Sequence, residues 1–260
     1  MKSFMSKYHQ SPLAYISNIT LNVHDPKKMV DFYTVLGMRV LSQTTNETTL
    51  GITTPLLILK HDQTYAIETK TTQGLYHVAY LVPTRAELGS VLKHLIALKI
   101  PLQGLSDHGV SEAIYLADPE GNGIEIYADR PSMLWPYENK KLAMVTDMMR
   151  YQEVLSLAKP WSGFSVDTIV GHLHLHVGNL NEAVQYYQEH LGYELMQYYG
   201  DSAAFLSTGG YHHHLGLNTW KGQQIPKKNP HTTGLIAFQV NQLSRQIKND
   251  IAGLTIQIMD

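Results

Sequence analysis

The chain has 260 residues, which at roughly 100–200 residues per domain makes one large domain or two small ones. Apolar residues make up 43% and charged residues 16%, a balance that supplies a core and excludes intrinsic disorder. Lys and Arg total 20 against 22 Asp and Glu, a net charge of −2, so no basic excess neutralises phosphates and no nucleic-acid partner is expected. The absence of cysteine excludes disulfides, thiolate nucleophiles and cysteine-held metal, leaving His, Asp, Glu or Tyr for any metal site. Apolar runs such as Pro55 to Leu59 are too short to span a bilayer, and the first eleven residues are polar and lack a signal-peptide core. No membrane partner is expected, and the expected location is the cytoplasm.

In chain order, a strand is predicted over Ile16-Ser-Asn-Ile-Thr-Leu-Asn-Val23, where apolar and polar residues alternate with the period of a half-buried strand. The turn His24-Asp25-Pro26 leads into a helix that carries Phe32-Tyr33 and stops at Leu36-Gly37, glycine being the usual residue just past a helix end. Strand returns over residues 38–42. A second unit opens with Gly74-Leu-Tyr-His-Val-Ala-Tyr-Leu-Val82, followed by a helix over about residues 84–98 and, after the turn Asp118-Pro-Glu-Gly-Asn122, a further strand. These two units fill residues 12–130. Residues 131–165 form a linker, in which apolar residues between 138 and 159 suggest a connecting helix.

The first pattern then repeats. Val170-Gly-His-Leu-His-Leu-His-Val177 alternates like the first strand, Gly178-Asn179-Leu180 is the turn, the helix carries Tyr186-Tyr187 and stops at Leu191-Gly192, and strand resumes over 193–198. Gly234-Leu-Ile-Ala-Phe-Gln-Val240 opens a fourth unit with a helix expected over about 242–251. The chain ends at Ile256-Gln-Ile-Met-Asp260, so the last strand of this unit, the counterpart of the one after Asn122, is expected to be missing.

Thr72-Gln-Gly-Leu-Tyr-His77, Ser106-Asp-His-Gly-Val-Ser-Glu-Ala113, Tyr115-Leu-Ala-Asp-Pro-Glu-Gly-Asn-Gly-Ile-Glu-Ile-Tyr127, Gly171-His-Leu-His-Leu-His176 and Gly209-Gly-Tyr-His-His-His-Leu-Gly-Leu-Asn-Thr-Trp220 carry a family likeness. Through them the chain resembles the vicinal oxygen chelate (glyoxalase/bleomycin resistance/dioxygenase) superfamily, and within it the bacterial catechol-2,3-dioxygenase type. The resemblance implies an α+β fold of four βαβββ units paired into two eight-stranded open cups, the fourth unit truncated. The expected domains are a first cup at 12–130, a helical linker at 131–165 and a second cup at 166–260.

In the first cup, alternation turns Glu125 and Tyr127 away from Ile124 and Ile126, toward the cup interior. The resemblance makes His77 and Glu125 two ligands of a 2-His-1-carboxylate site, a pattern suited to Fe(II) with open positions, with Mn, Ni or Zn as other divalent metals. The third ligand is expected to lead the first strand, where Asn18 stands in place of histidine. The alternative is a His77–Glu125 hydrogen bond inside a polar cup. His108 resembles the family's proton-moving histidine and Tyr115 its substrate-oxygen tyrosine, an imidazole being suited to acid–base work near neutral pH; a solvated loop histidine and a core aromatic are the alternatives.

In the second cup, His172, His174 and His176 share one strand face. His172 leads its strand, and His212 and His214 are expected on the inner face after it, so His172 and His214 are expected to meet across the cup as a second metal site. The matching positions elsewhere are Leu235 and a residue beyond the chain end, which leaves a hydrogen-bonded histidine pocket as the alternative. His9, His24, His61, His94, His190 and His231 read as solvated. The resemblance implies an extradiol ring-cleaving oxidoreductase of aromatic-compound catabolism, using a catechol-like small molecule and O₂, with a homodimer as one assembly. A glyoxalase-type lyase or isomerase, or a binding protein without turnover, are the other readings.

Overall fold

The computed structural model describes residues 6–62, 64–69, 71–241 and 250–259. Unit one comprises β1 (Ile16–Val23), α1 (Pro26–Val35), β2 (Arg39–Gln43), β3 (Glu47–Gly51) and β4 (Pro55–His61). Unit two comprises β5 (Gly74–Leu81), α2 (Arg85–Ala97), β6 (Gly104–Asp107), β7 (Ser111–Ala117) and β8 (Gly123–Asp129). The linker carries β9 (Tyr137–Glu138), β10 (Lys141–Leu142), β11 (Asp147–Met148) and α3 (Tyr151–Ser156). Unit three comprises β12 (Ile169–His176), α4 (Leu180–Leu191), β13 (Glu194–Tyr199), β14 (Ala203–Ser207) and β15 (Leu215–Asn218). Unit four contributes β16 (Gly234–Asn241) and β17 (Thr255–Met259); the helix expected over 242–251 falls largely outside the described residues.

Local chemistry sets the element ends. Asp25 accepts a hydrogen bond from the Lys28 amide and Pro26 opens α1, an N-cap followed by a residue whose missing N–H costs nothing there. Asn179 caps α4 in the same way, and Gly192 ends it in the left-handed conformation at φ 68°. In the linker the expected long helix is replaced by a hairpin and a six-residue helix. Asn139 and Lys140 adopt φ 49° and 64°, the tight-turn geometry that joins β9 to β10 and that a continuous helix cannot contain.

Strand pairing departs from the sequential domains expected above. The order in one sheet is β17-β16-β1-β4-β3-β2, and in the other β11-β6-β7-β8-β5-β12-β15-β14-β13. Unit one therefore joins unit four, and unit two joins unit three, through antiparallel pairing of β1 with β16 and of β5 with β12. The boundaries at 130 and 166 do not divide the cups, because all four leading strands carry similar alternation and that pattern does not specify a partner. In unit four, β17 lies parallel to β16 as β8 lies parallel to β5, so it fills the place of the strand expected to be missing. One continuous apolar core draws on all four leading strands, with Ile19, Leu21, Val78, Tyr80, Leu173, Leu175 and Phe238 fully buried. No helix among the described residues is long and apolar enough to cross a membrane.

Candidate metal centre

Three adjacent strands bring the site together. Ala79 of β5 is registered with Glu125 of β8 on one side and with His172 of β12 on the other. His77 lies two residues before Ala79 on the same strand face. The methyl group of Ala79 leaves room over β5, so the three longer side chains converge above it. Upstream, the Asp118 carboxylate gathers the amides of Glu120 and Asn122, the Asn122 side chain and the Tyr33 hydroxyl, which fixes the turn from which β8 starts.

The Glu125 Oε2 atom lies 3.0 Å from His77 Nε2 and 3.1 Å from His172 Nε2. One ligand atom from each residue lies within 4.8 Å of the others, and all three residues are buried. His77 Nε2 is buried without an aligned hydrogen bond at this separation, whereas His172 Nε2 makes one to the same carboxylate oxygen. An unpartnered imidazole nitrogen beside a carboxylate and a second imidazole fits a divalent cation, and two histidines with one carboxylate is the set that leaves positions open for other ligands. Burial pulls His172 down to about 4 despite the neighbouring Glu125, so its imidazole is neutral near pH 7 and has a lone pair to give. Burial pushes the Glu125 carboxyl up, but the His172 and His77 rings beside it prevail and hold it well below the usual carboxylate range.

His77 and Glu125 line a cavity of about 300 Å³. His108 and Tyr115 line it, with His108 Nε2 2.7 Å from the Tyr115 hydroxyl and Nδ1 2.8 Å from the Val145 carbonyl. A carbonyl only accepts, so neutral His108 carries its proton on Nδ1 and its Nε2 accepts from the phenol. Burial and the nearby Glu125 raise the Tyr115 phenol well above its ordinary value, which keeps it a donor. Tyr76, Phe205 and Trp220 supply aromatic walls.

Two close approaches hold the histidine-rich strand. A Cβ on Gly171 would lie 1.9 Å from the Tyr127 hydroxyl, and one on Gly216 would lie 2.8 Å from the His174 ring. Asn218 then links the remaining histidines: its amide nitrogen donates to His174 Nε2 at 3.0 Å, and its amide oxygen accepts from His176 Nδ1 at 2.6 Å.

The family model for the glyoxalase/bleomycin resistance protein/dioxygenase superfamily matches residues 15–126 and 169–249. The chain belongs to that superfamily. It is 38% identical over 244 residues to a catechol-2,3-dioxygenase of Bacillus subtilis, covering 91% of this chain and 85% of that one. Among solved structures, glyoxalase I from Zea mays superposes with a TM-score of 0.58 at 13% identity, covering 95% of this chain and 92% of its own. A putative dioxygenase from Bacillus subtilis gives 0.56 at 16%, covering 87% and 69%. At these identities the structural likeness speaks to the superfamily fold alone.

Of the residues singled out in the sequence, His77, Glu125 and His172 come together, and His108 and Tyr115 share their cavity. His172, rather than Asn18, converges with His77 and Glu125; Asn18 lies in the other sheet with its amide donating to Gln239. His214 does not join His172 as a ligand. Its Nδ1 is 2.9 Å from the Ser207 hydroxyl and its Nε2 is 2.9 Å from the Tyr8 carbonyl. The strand begins only at Leu215, so its alternation does not extend back over the histidine run, and it is His213 that lines the cavity. His9, expected to be solvated, is buried, with Nε2 2.7 Å from the Gly171 carbonyl. The run at 212–214 was the available signal for His213; only the strand's starting point could have selected the middle residue.

Proposed function

We propose that the chain is an extradiol ring-cleaving dioxygenase acting on a catechol-like substrate with O₂, using Fe(II) held by His77, Glu125 and His172. The observation that carries this reading is the convergence of two imidazoles and a carboxylate, His77, His172 and Glu125, at the edge of a cavity that a separate His–Tyr pair also lines. Bound there, a divalent metal would supply Lewis acidity and hold substrate and O₂ in contact. The protein's own residues do the rest. Tyr76, Phe205 and Trp220 bury an aromatic ring and exclude water from it. Tyr115, kept protonated, turns its hydroxyl proton from His108 Nε2 to a substrate oxygen when substrate binds, which frees that nitrogen. His108, fixed by the Val145 carbonyl, accepts a hydroxyl proton at Nε2 and returns it later, general acid–base work of the kind worth about 10²–10⁴-fold.

Anaerobic loading with Fe(II), then air and a panel of simple catechols, is expected to consume O₂ and release a yellow ring-fission product. Bound metal with neither uptake nor product removes the reading. Turnover without O₂ uptake would instead favour a glyoxalase-type lyase or isomerase. A binding protein without turnover would be favoured by a missing third ligand, and His172 stands in that place.

A further inference from the structure

The metal triad and the His108–Tyr115 pair leave the run His212–His214 unused. Its middle member lines the cavity, with its ring against that of His172 at 4.0 Å between centroids. His213 Nδ1 lies 2.8 Å from His212 Nδ1, and His212 Nε2 lies 2.9 Å from Asp129 Oδ1. The other Asp129 oxygen accepts from the Tyr211 hydroxyl at 3.0 Å. With that proton committed, the 2.8 Å contact between Tyr211 and Tyr127 takes its proton from Tyr127. Asp129 thus sits at the receiving end of two donors, and His212 and His213 are both buried.

The direction of each hydrogen bond follows from what each group can do. A carboxylate accepts, so His212 donates from Nε2. A neutral imidazole that is protonated at Nε2 has only a lone pair at Nδ1. The contact between the two Nδ1 atoms therefore needs its proton from His213, and Nε2 of His213 is left bare.

We infer that Asp129 and His212 are positioning residues that fix His213 as its Nδ1–H tautomer, so that its Nε2 accepts a hydrogen bond from a ligand hydroxyl in the cavity. The hydroxyl-bearing ligand rests on the function proposed above; the tautomer itself does not. The arrangement parallels His108, which the Val145 carbonyl holds in the same tautomer. His108 is set by the backbone, which side-chain substitution leaves in place. His213 is set by side chains, which mutation can remove.

The test is long-range ¹H–¹⁵N spectroscopy of metal-free, histidine-labelled protein at pH 8, with the His213 signals assigned by their loss in His213→Gln. The wild-type ring is expected to show a protonated Nδ1 and a bare Nε2, the reverse of the preference of a free histidine side chain. In His212→Phe the proton is expected to move to Nε2. Asp129→Ala, which frees His212 to donate from Nδ1, is expected to populate the Nε2–H form as well. A wild-type His213 protonated at Nε2, or folded variants that both retain the Nδ1–H form, would overturn the inference. If the variants fail to fold, the wild-type spectrum still decides. No metal or turnover is needed, so a failed ring-cleavage assay and a wrong tautomer are separate results.

Discussion

The two cups share a strand plan and differ in what fills them. In the cup of units two and three, the inner face carries His77, Glu125 and His172 beside a cavity. In the cup of units one and four, Asn18 and Asn22 are buried and the space is taken by the chain itself. The Asn22 amide donates to the Pro230 carbonyl at 3.0 Å, Ala66 bridges to Thr232, and the Thr232 hydroxyl donates to Glu68 at 2.8 Å. Lys228, in the same loop as Pro230 and Thr232, donates to the Thr232 carbonyl at 2.7 Å. Where His77 and Glu125 stand in unit two, the strand register puts Ala237 and Gln257 in unit four, not Leu235 and a residue beyond the chain end. The two cups thus differ in two respects on one scaffold: three convergent side chains in register in one, and loops laid over the inner face of the other.

The largest expected effect separates the cups by mutation. Glu125→Gln or His172→Ala is expected to abolish stoichiometric metal binding and lower ring-cleavage activity by about 10³-fold or more, roughly 4 kcal/mol of transition-state stabilisation. Asn18→Ala, in the plugged cup, is expected to leave both within about twofold. Metal content and initial rates check this. Equal losses from the two cups would end the distinction.

Acid lability should also belong to one cup. Every buried histidine among the described residues lies in or against the cup of units two and three. Burial lowers His9 and His176 from 6.5 to about 4 each. Because the folded state disfavours their protonation, the stability they contribute is full above about pH 6.5 and is lost as pH falls toward 4. By pH 4.5 the loss from His9 alone is about 2–3 kcal/mol. Urea unfolding at pH 7.5 and 4.5 is expected to register it, and His9→Gln is expected to shrink the difference.

These outcomes bear on what the sequence could reveal. Strand alternation puts Glu125 on the interior face, and His77 is the fourth residue of β5, on the face it shares with Ala79. His172 is legible as the first histidine of the histidine-rich strand, but its partners are not, because β5 and β12 pair across roughly ninety residues of chain and similar alternation runs through every leading strand. The linker misled because scattered apolar residues mimic a helical stripe, whereas Asn139 and Lys140 turn the backbone into a hairpin. His9 is buried over Gly171, although a polar N-terminal segment gives no sign of that packing.

Smaller effects refine the comparison. Tyr115→Phe keeps the ring and removes the donor, so kcat is expected to fall by about 10²-fold with metal content unchanged. Steady-state kinetics with metal analysis distinguishes this from a ligand loss. Lys228→Met, in the loop that covers the other cup, is expected to cost about 1 kcal/mol of stability, the worth of one buried hydrogen bond, with activity unaltered. A matched set of urea midpoints and rates would detect it.

Anomalous diffraction from crystals of the metal-loaded protein tests the central claim most directly. A single strong peak bonded to Nε2 of His77, Nε2 of His172 and the Glu125 carboxylate is the predicted result. A peak at His214, or a metal that leaves either of those two imidazoles uncoordinated, would contradict it.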